Sequence, residues 1–516
     1  MSPDFWLSPP AMPDRRSSAP SALPALGITL GLLLWGGCKT PVQTVVPGAD
    51  GRLTLHLVHP DCSYCDPFGA VDTLRIDVYD GAETLLTSAS FHYPDESPLL
   101  PDLDGFGVVR IEIAGLSAGK VESGGRTPLI ALEPGVATTV DVLFAPVNKT
   151  LPLSASMIAQ RSRHVAFRRH DGRVVLMGGV DGGRDDAFAS IEVYDPATMS
   201  FAADAAVLPV ALAAPATAWT AEETLLLVGG TATAASVDTV VATTGLYLPD
   251  SSALVQQGDL SVARAGGCLA RFGAHSVVAF GGGAGGDLGV YAAGAWNWTG
   301  FSPIDFDPAG TLACVPLADG SVFVLGPSVS ATGVWDFADD GTGDPAASFH
   351  PADAYTVGDP RYVSGALVVP LEDGRVWIAG GADISSGSVT GDGRIYSASS
   401  GAFSPAVGLQ GARYDGGWDR WYRDGWYVVG CGWQDVTRVR DEQTVELVAP
   451  ATGEAGPSIP IDRGRSGCSV TTLVDGAVLL AGGFNSTSSD DAGAAVIIPW
   501  LDEVLPEDTG GSDTGS

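Results

Sequence analysis

Short apolar runs recur along the chain from residue 174, each closed by glycine. Val174–Met177 runs into Gly178-Gly179, Leu225–Val228 into Gly229-Gly230 and Val277–Phe280 into Gly281-Gly282. Val376–Ala379 runs into Gly380-Gly381, and Val478–Ala481 into Gly482-Gly483. Two looser copies fill the gaps, Val322–Leu325 before Gly326-Pro327 and Tyr427–Val429 before Gly430-Cys431-Gly432. With first glycines taken at 178, 229, 281, 326, 380, 430 and 482, the successive differences are 51, 52, 45, 54, 50 and 52. Asp-Gly precedes the run in five copies (Asp171-Gly172, Asp319-Gly320, Asp373-Gly374, Asp424-Gly425, Asp475-Gly476). Asp-Gly between apolar runs signals a hairpin, because glycine tolerates the positive φ of a tight turn. A loop of variable length then leads to a third strand such as Ser190–Asp195, and a fourth closes the unit.

Four short antiparallel strands repeated about every fifty residues predict a β-propeller. The glycine pair, followed by strands such as the one ending Tyr194-Asp195-Pro196, resembles the kelch repeat and the related galactose-oxidase-type propeller over about residues 149–503. The resemblance implies fold and leaves function open. Seven copies imply seven blades, six being the alternative. The seventh copy ends near Val496–Ile498, and its missing strand is expected at Thr150–Leu153, tying the ends of the ring together. Residues 51–148 lack this grammar. Alternating strands at Leu53–Val58, Leu74–Tyr79, Leu85–Phe91, Val108–Ile113 and Thr138–Phe144 predict a small immunoglobulin-like β-sandwich, with a barrel as the alternative. The fold class expected is therefore all-β.

The N-terminus adds a location. Arg15 and Arg16 precede an apolar stretch, Ala22–Trp35, that suits a signal peptide over residues 1–37, with Met12 an alternative start. Leu34-Trp35-Gly36-Gly37-Cys38 resembles a bacterial lipobox, departing from it at Trp35. The resemblance implies lipid attachment at Cys38, Lys39 favouring the outer membrane, on its periplasmic or surface side. Residues 38–50 read as a tether and 504–516 as a disordered acidic tail. A net charge of −33 with only 27 basic residues excludes a nucleic-acid partner, and leaves the N-terminal lipid as the membrane contact.

If Cys38 carries lipid, six cysteines remain, and an even number in an exported chain favours disulfides. The pairs expected are Cys62–Cys65, Cys268–Cys314 and Cys431–Cys468. Cys62-x-x-Cys65, near His56 and His59, is open to zinc or redox chemistry as alternatives. Galactose-oxidase-type enzymes use copper held by Tyr and His with a Tyr–Cys cross-link. His164, His170, His275 and His350 make no such set, and no Walker, HExxH or GxSxG motif stands in a suitable context. No catalytic or metal-binding residue is assigned.

Two features remain as a candidate binding face. Arg161, Arg264, Arg413 and Arg465 each precede a first glycine by 17 residues, and Arg361 precedes one by 19. They form either a guanidinium cluster for a carboxylate or sulfate, or struts satisfying carbonyls between blades. The loops after the glycine pairs, on the same side, carry Asp185, Asp186, Asp435 and Trp433; their carboxylates are either solvated or open to Ca²⁺. Aromatics concentrated from Tyr414 to Trp433 suit sugar stacking or packing between blades. The chain thus reads as an envelope-anchored, non-enzymatic propeller lipoprotein that binds or displays a protein or glycan. A carbohydrate-active propeller and a purely structural surface protein are the alternatives.

Overall fold

The computed structural model describes residues 39–48, 53–61, 66–103, 107–133, 136–153, 156–181, 186–234, 237–301, 313–338, 346–352, 363–486, 490–491 and 493–501. Among them helix is confined to one 3-10 turn, Val329–Ala331, and the rest of the regular structure is β. Seven four-stranded antiparallel sheets follow the glycine period. Their first strands are Val165–Arg168, Ala216–Trp219, Cys268–Arg271, Ala313–Pro316, Leu367–Pro370, Gly417–Arg420 and Ser469–Thr472, which number the sheets 1 to 7. Their second strands are the apolar runs before the glycines, and almost every residue in them is buried, because both sheet faces are covered by neighbouring sheets.

Sheet 7 borrows its outer strand from the far end of the repeat region. Thr150–Pro152 pairs antiparallel with Ala495–Ile497, matching Thr150 to Ile497 and Leu151 to Val496. A second tie recurs between successive sheets. The second glycine of a pair donates its N–H to a carbonyl at the entry of the next sheet: Gly179 to Leu212, Gly230 to Arg264, Gly381 to Arg413 and Gly432 to Arg465. Gly483 of sheet 7 donates in the same way to Arg161 of sheet 1, at 2.9 Å. A Cβ on the first glycine would stand 2.1–2.5 Å from that next carbonyl at Gly178, Gly229, Gly380 and Gly482. The close approach is what requires glycine here.

In sheet 6 this position belongs to Cys431, not to Gly430. Gly430 is still in the ladder, paired with Gly417, while Cys431 has the positive φ of 61° and Gly432 donates to the next sheet. The last two steps are then equal, 431−380 and 482−431 both giving 51.

The N-terminal part holds two sheets. One is three-stranded, Lys39–Pro47, Leu53–Asp61 and Thr138–Leu143, the last two parallel. The other is six-stranded and contains Thr73–Asp80, Leu85–His92, Val108–Ser117 and Lys120–Arg126. They share one core, with Leu55, Leu57 and Val142 from one and Ile76, Val109 and Ile111 from the other. Residues 39–47, expected as tether, instead form a strand along Leu53–Asp61.

Candidate functional site

The arginines follow one rule without converging on one another. Each stands just before the first strand of its sheet and turns its guanidinium into the sheet's own interior. Arg161 and Arg413 are 0% exposed, and Arg264 and Arg465 are 3% exposed. In sheet 1, Arg161 donates to the Gly178 and Ser190 carbonyls and to Glu192. In sheet 6, Arg413 donates to the Thr444 carbonyl and to Glu446. In sheet 3, Arg264 donates to Asp287 from Nε and Nη2, at 2.9 and 2.7 Å. Glu192, Asp287 and Glu446 hold one register position, opposite Leu176, Ala279 and Val429 on the second strands.

Each carboxylate also receives backbone N–H groups from the segment entering the sheet. Glu192 takes Ile158 and Ala159, Glu446 takes Gln410 and Gly411, and Asp287 takes Ser261. The pair thus satisfies a connector that lacks ladder partners. In sheet 7 the equivalent position, opposite Leu480, is Ala495. Arg465 there donates to the Gly482 and Gly493 carbonyls, and burial lowers its pKa to about 10. Position 363, equivalent to the arginines in sheet 5, is valine, and Arg361 lies outside the described residues. A ligand approaching this end meets the loops, since the four guanidinium groups lie beneath the surface.

The acidic loop residues serve their own turns. Asp435 accepts the Thr437 hydroxyl and the Val439 N–H, which hold its pKa below the usual range, the hydroxyl more strongly. Asp186 is exposed and Trp433 half-buried, the latter bridged through its backbone to Tyr414 and Asp441. Asp185 lies outside the described residues. Among the described residues no three His, Cys, Asp or Glu side chains are grouped to hold a metal ion.

Two disulfides join neighbouring sheets, one between first strands and one from the end of a second strand to the start of the next sheet's first strand. Cys268–Cys314 links sheets 3 and 4 with a Cα separation of 5.6 Å, and Cys431–Cys468 links sheets 6 and 7 at 5.9 Å. Cys38, Cys62 and Cys65 lie outside the described residues. The histidines are dispersed: His164 bonds Ser469, His170 pairs with Glu223, His275 with Glu222 and His350 with Asp336.

The sixth-copy aromatics pack between sheets, as one of the two readings expected: Trp418 and Tyr427 join the core of sheet 5, and Trp421 donates its Nε1–H to the Gly476 carbonyl of sheet 7. Trp421 and Tyr422 meet the N-terminal sheets, with Arg126 in their midst. The Arg126 guanidinium lies 4.1 Å from the Trp500 ring centre and 4.6 Å from that of Tyr422, and its Nε donates to Glu112 at 3.1 Å. Tyr422 donates its hydroxyl to the same carboxylate. Gly124 leaves room for Trp500, since a Cβ there would stand 2.4 Å from the indole. Sequence reasoning missed Arg126 and Glu112. Neither stands out locally, since their strands also carry Arg110, Lys120 and Glu122.

No family model matches the chain, and no curated protein matches it. Among solved structures, one that it resembles is a fungal alcohol oxidase of the AA5 family described as showing catalytic diversity and being in complex with copper. The TM-score is 0.54 and the identity 18%, over 68% of this chain and 76% of the other. At that identity the likeness concerns fold alone, and it shows a β-rich architecture of the galactose-oxidase type.

Proposed function

We propose that the seven sheets are the blades of a closed kelch-like propeller, that the two N-terminal sheets form an immunoglobulin-like sandwich fixed to it, and that the whole is a non-enzymatic binding or display module. The closure is supported by the pairing of Thr150–Pro152 with Ala495–Ile497 and by the Gly483–Arg161 hydrogen bond. The observation that carries the functional reading is the donor set. All four described cysteines are spent in disulfides, and the four histidines of the repeat region stand on separate partners. A copper centre with a Tyr–Cys cross-link does not fit these residues, so no step is routed through one.

The second reading, a carbohydrate-active oxidase, is favoured by the likeness to an alcohol oxidase. Copper titration of the purified chain separates the two. The binding-module reading expects no stoichiometric uptake and no visible radical absorption, whereas one copper per chain with such a band overturns it. The disulfides support an exported chain. Anchorage through a lipid on Cys38 of an outer-membrane lipoprotein is part of the proposal. It requires a mature protein beginning at Cys38 with added acyl mass, and an unmodified N-terminus beyond Cys38 would refute it.

A further inference from the structure

The opposite end of the first strands carries a different set of side chains. Their last residues share one register position, each facing the residue four places before its sheet's first glycine or, in sheet 6, before Cys431. In sheets 1, 2, 3 and 6 they are Arg168 opposite Val174, Trp219 opposite Leu225, Arg271 opposite Val277 and Arg420 opposite Tyr427, and in sheets 4, 5 and 7 they are Pro316, Pro370 and Thr472. Unlike the buried arginines, Arg168, Arg271 and Arg420 are exposed, and Trp219 leaves 39% of its surface to solvent.

At sheets 7, 1 and 2 this rim opens into a cavity of about 410 Å³ lined by Arg168, Arg169, His170, Trp219, Thr220 and Val474 among others. The indole is fixed edge-on against Phe167, ring centres 5.3 Å apart. One nitrogen of Arg168 is anchored on the Thr472 carbonyl at 2.6 Å and its charge also acts on Asp419 and Asp475, while Glu223, which lines the cavity as well, is paired with His170. Arg169 is positioned by Asp171 and by the Ser252 hydroxyl.

We infer that this cavity binds a saccharide carrying a carboxylate, the sugar's apolar face on Trp219 and its carboxylate on Arg168. The inference rests on reading the chain as a binding module, and adds the ligand class and the face. An exposed indole held rigidly offers a flat apolar surface with little entropy to lose. A guanidinium fork matches a carboxylate. The volume suits a small ligand. In a chain of net charge −33, long-range repulsion disfavours a highly charged anion such as a polyphosphate and tolerates a single carboxylate. The arginines before the first strands are thus structural, whereas Arg168, at the end of its strand, lines the cavity and meets the ligand.

Calorimetric titration of the intact chain tests this with trigalacturonate, neutral cellotriose and adenosine monophosphate as probes. Trigalacturonate is expected to bind at least about tenfold more tightly than cellotriose. Trp219→Ala and Arg168→Gln should each weaken it about tenfold or more, the size of a lost charge-assisted contact, with melting temperature unchanged. Arg168→Lys, which keeps the charge and loses the fork, should fall between. Three results would overturn the inference: no binding of trigalacturonate by the wild type, wild-type affinity in the variants, or tighter binding of adenosine monophosphate at the same residues. Copper uptake, the failure mode of the functional reading, is measured separately and leaves these outcomes distinct.

Discussion

Arg161, Arg264 and Arg413 are cations withdrawn from water together with a carboxylate of the same sheet. Desolvating either group alone costs several kcal/mol, so each depends on the other and on the backbone groups that complete its bonding. The spacing of the arginines before glycine was legible in the sequence because it is local. Their partners were not: Glu192 lies 31 residues after Arg161, Asp287 lies 23 after Arg264 and Glu446 lies 33 after Arg413, across loops of different length. Beside Arg161, the His164 imidazole is pushed down to about 3, first by burial and then by the neighbouring positive charge. The fold holds this histidine neutral, whereas the unfolded chain protonates it near 6.5. The contribution to stability is therefore complete above about pH 6.5. It falls as pH drops toward 3, by at most about 1.4 kcal/mol per pH unit. Urea midpoints measured from pH 7 to 4 should fall less steeply for His164→Gln than for the wild type, and equal slopes would contradict this.

At the scale of the elements, the glycine period revealed the seven sheets because one steric demand, a carbonyl of the next sheet pressed against the first glycine, repeats after Gly178, Gly229, Gly380 and Gly482. Its phase in sheet 6 was not legible. Gly430-Cys431-Gly432 offers two readings, and the choice is made by the ladder through Gly417 and the positive φ of Cys431. There the side chain that glycine elsewhere omits becomes a cross-link to the next sheet, reaching Cys468. Cys468→Ser should lower stability by about 3–4 kcal/mol, the value for a loop of this length in the chain-entropy account. A guanidinium unfolding curve without reductant reads it, and an unchanged midpoint would show the bond to be dispensable. The strand Lys39–Pro47 escaped notice because its pattern is weak, and its partner Leu53–Asp61 is what makes it a strand.

For the whole molecule, the N-terminal sheets are docked, through Arg126, Glu112, Tyr422 and Trp500, to the sheets of the repeat region. Arg126→Ala leaves the Glu112 carboxylate buried without its cation and should cost about 3–5 kcal/mol. Calorimetry should then show the N-terminal part melting ahead of the rest, while one unchanged transition would mean that the contact carries little. The central claim is that buried arginine–carboxylate pairs fix the entering segment to its sheet and take no part in recognition. The most direct measurement is a double-mutant cycle on the sheet 6 pair, following denaturant midpoints of Arg413→Ala, Glu446→Ala and the combined variant. Each single variant should lose about 3–5 kcal/mol, and the combined variant clearly less than the sum, with trigalacturonate affinity unaltered per folded molecule. Single variants as stable as the wild type, or additive losses accompanied by loss of ligand, would contradict it.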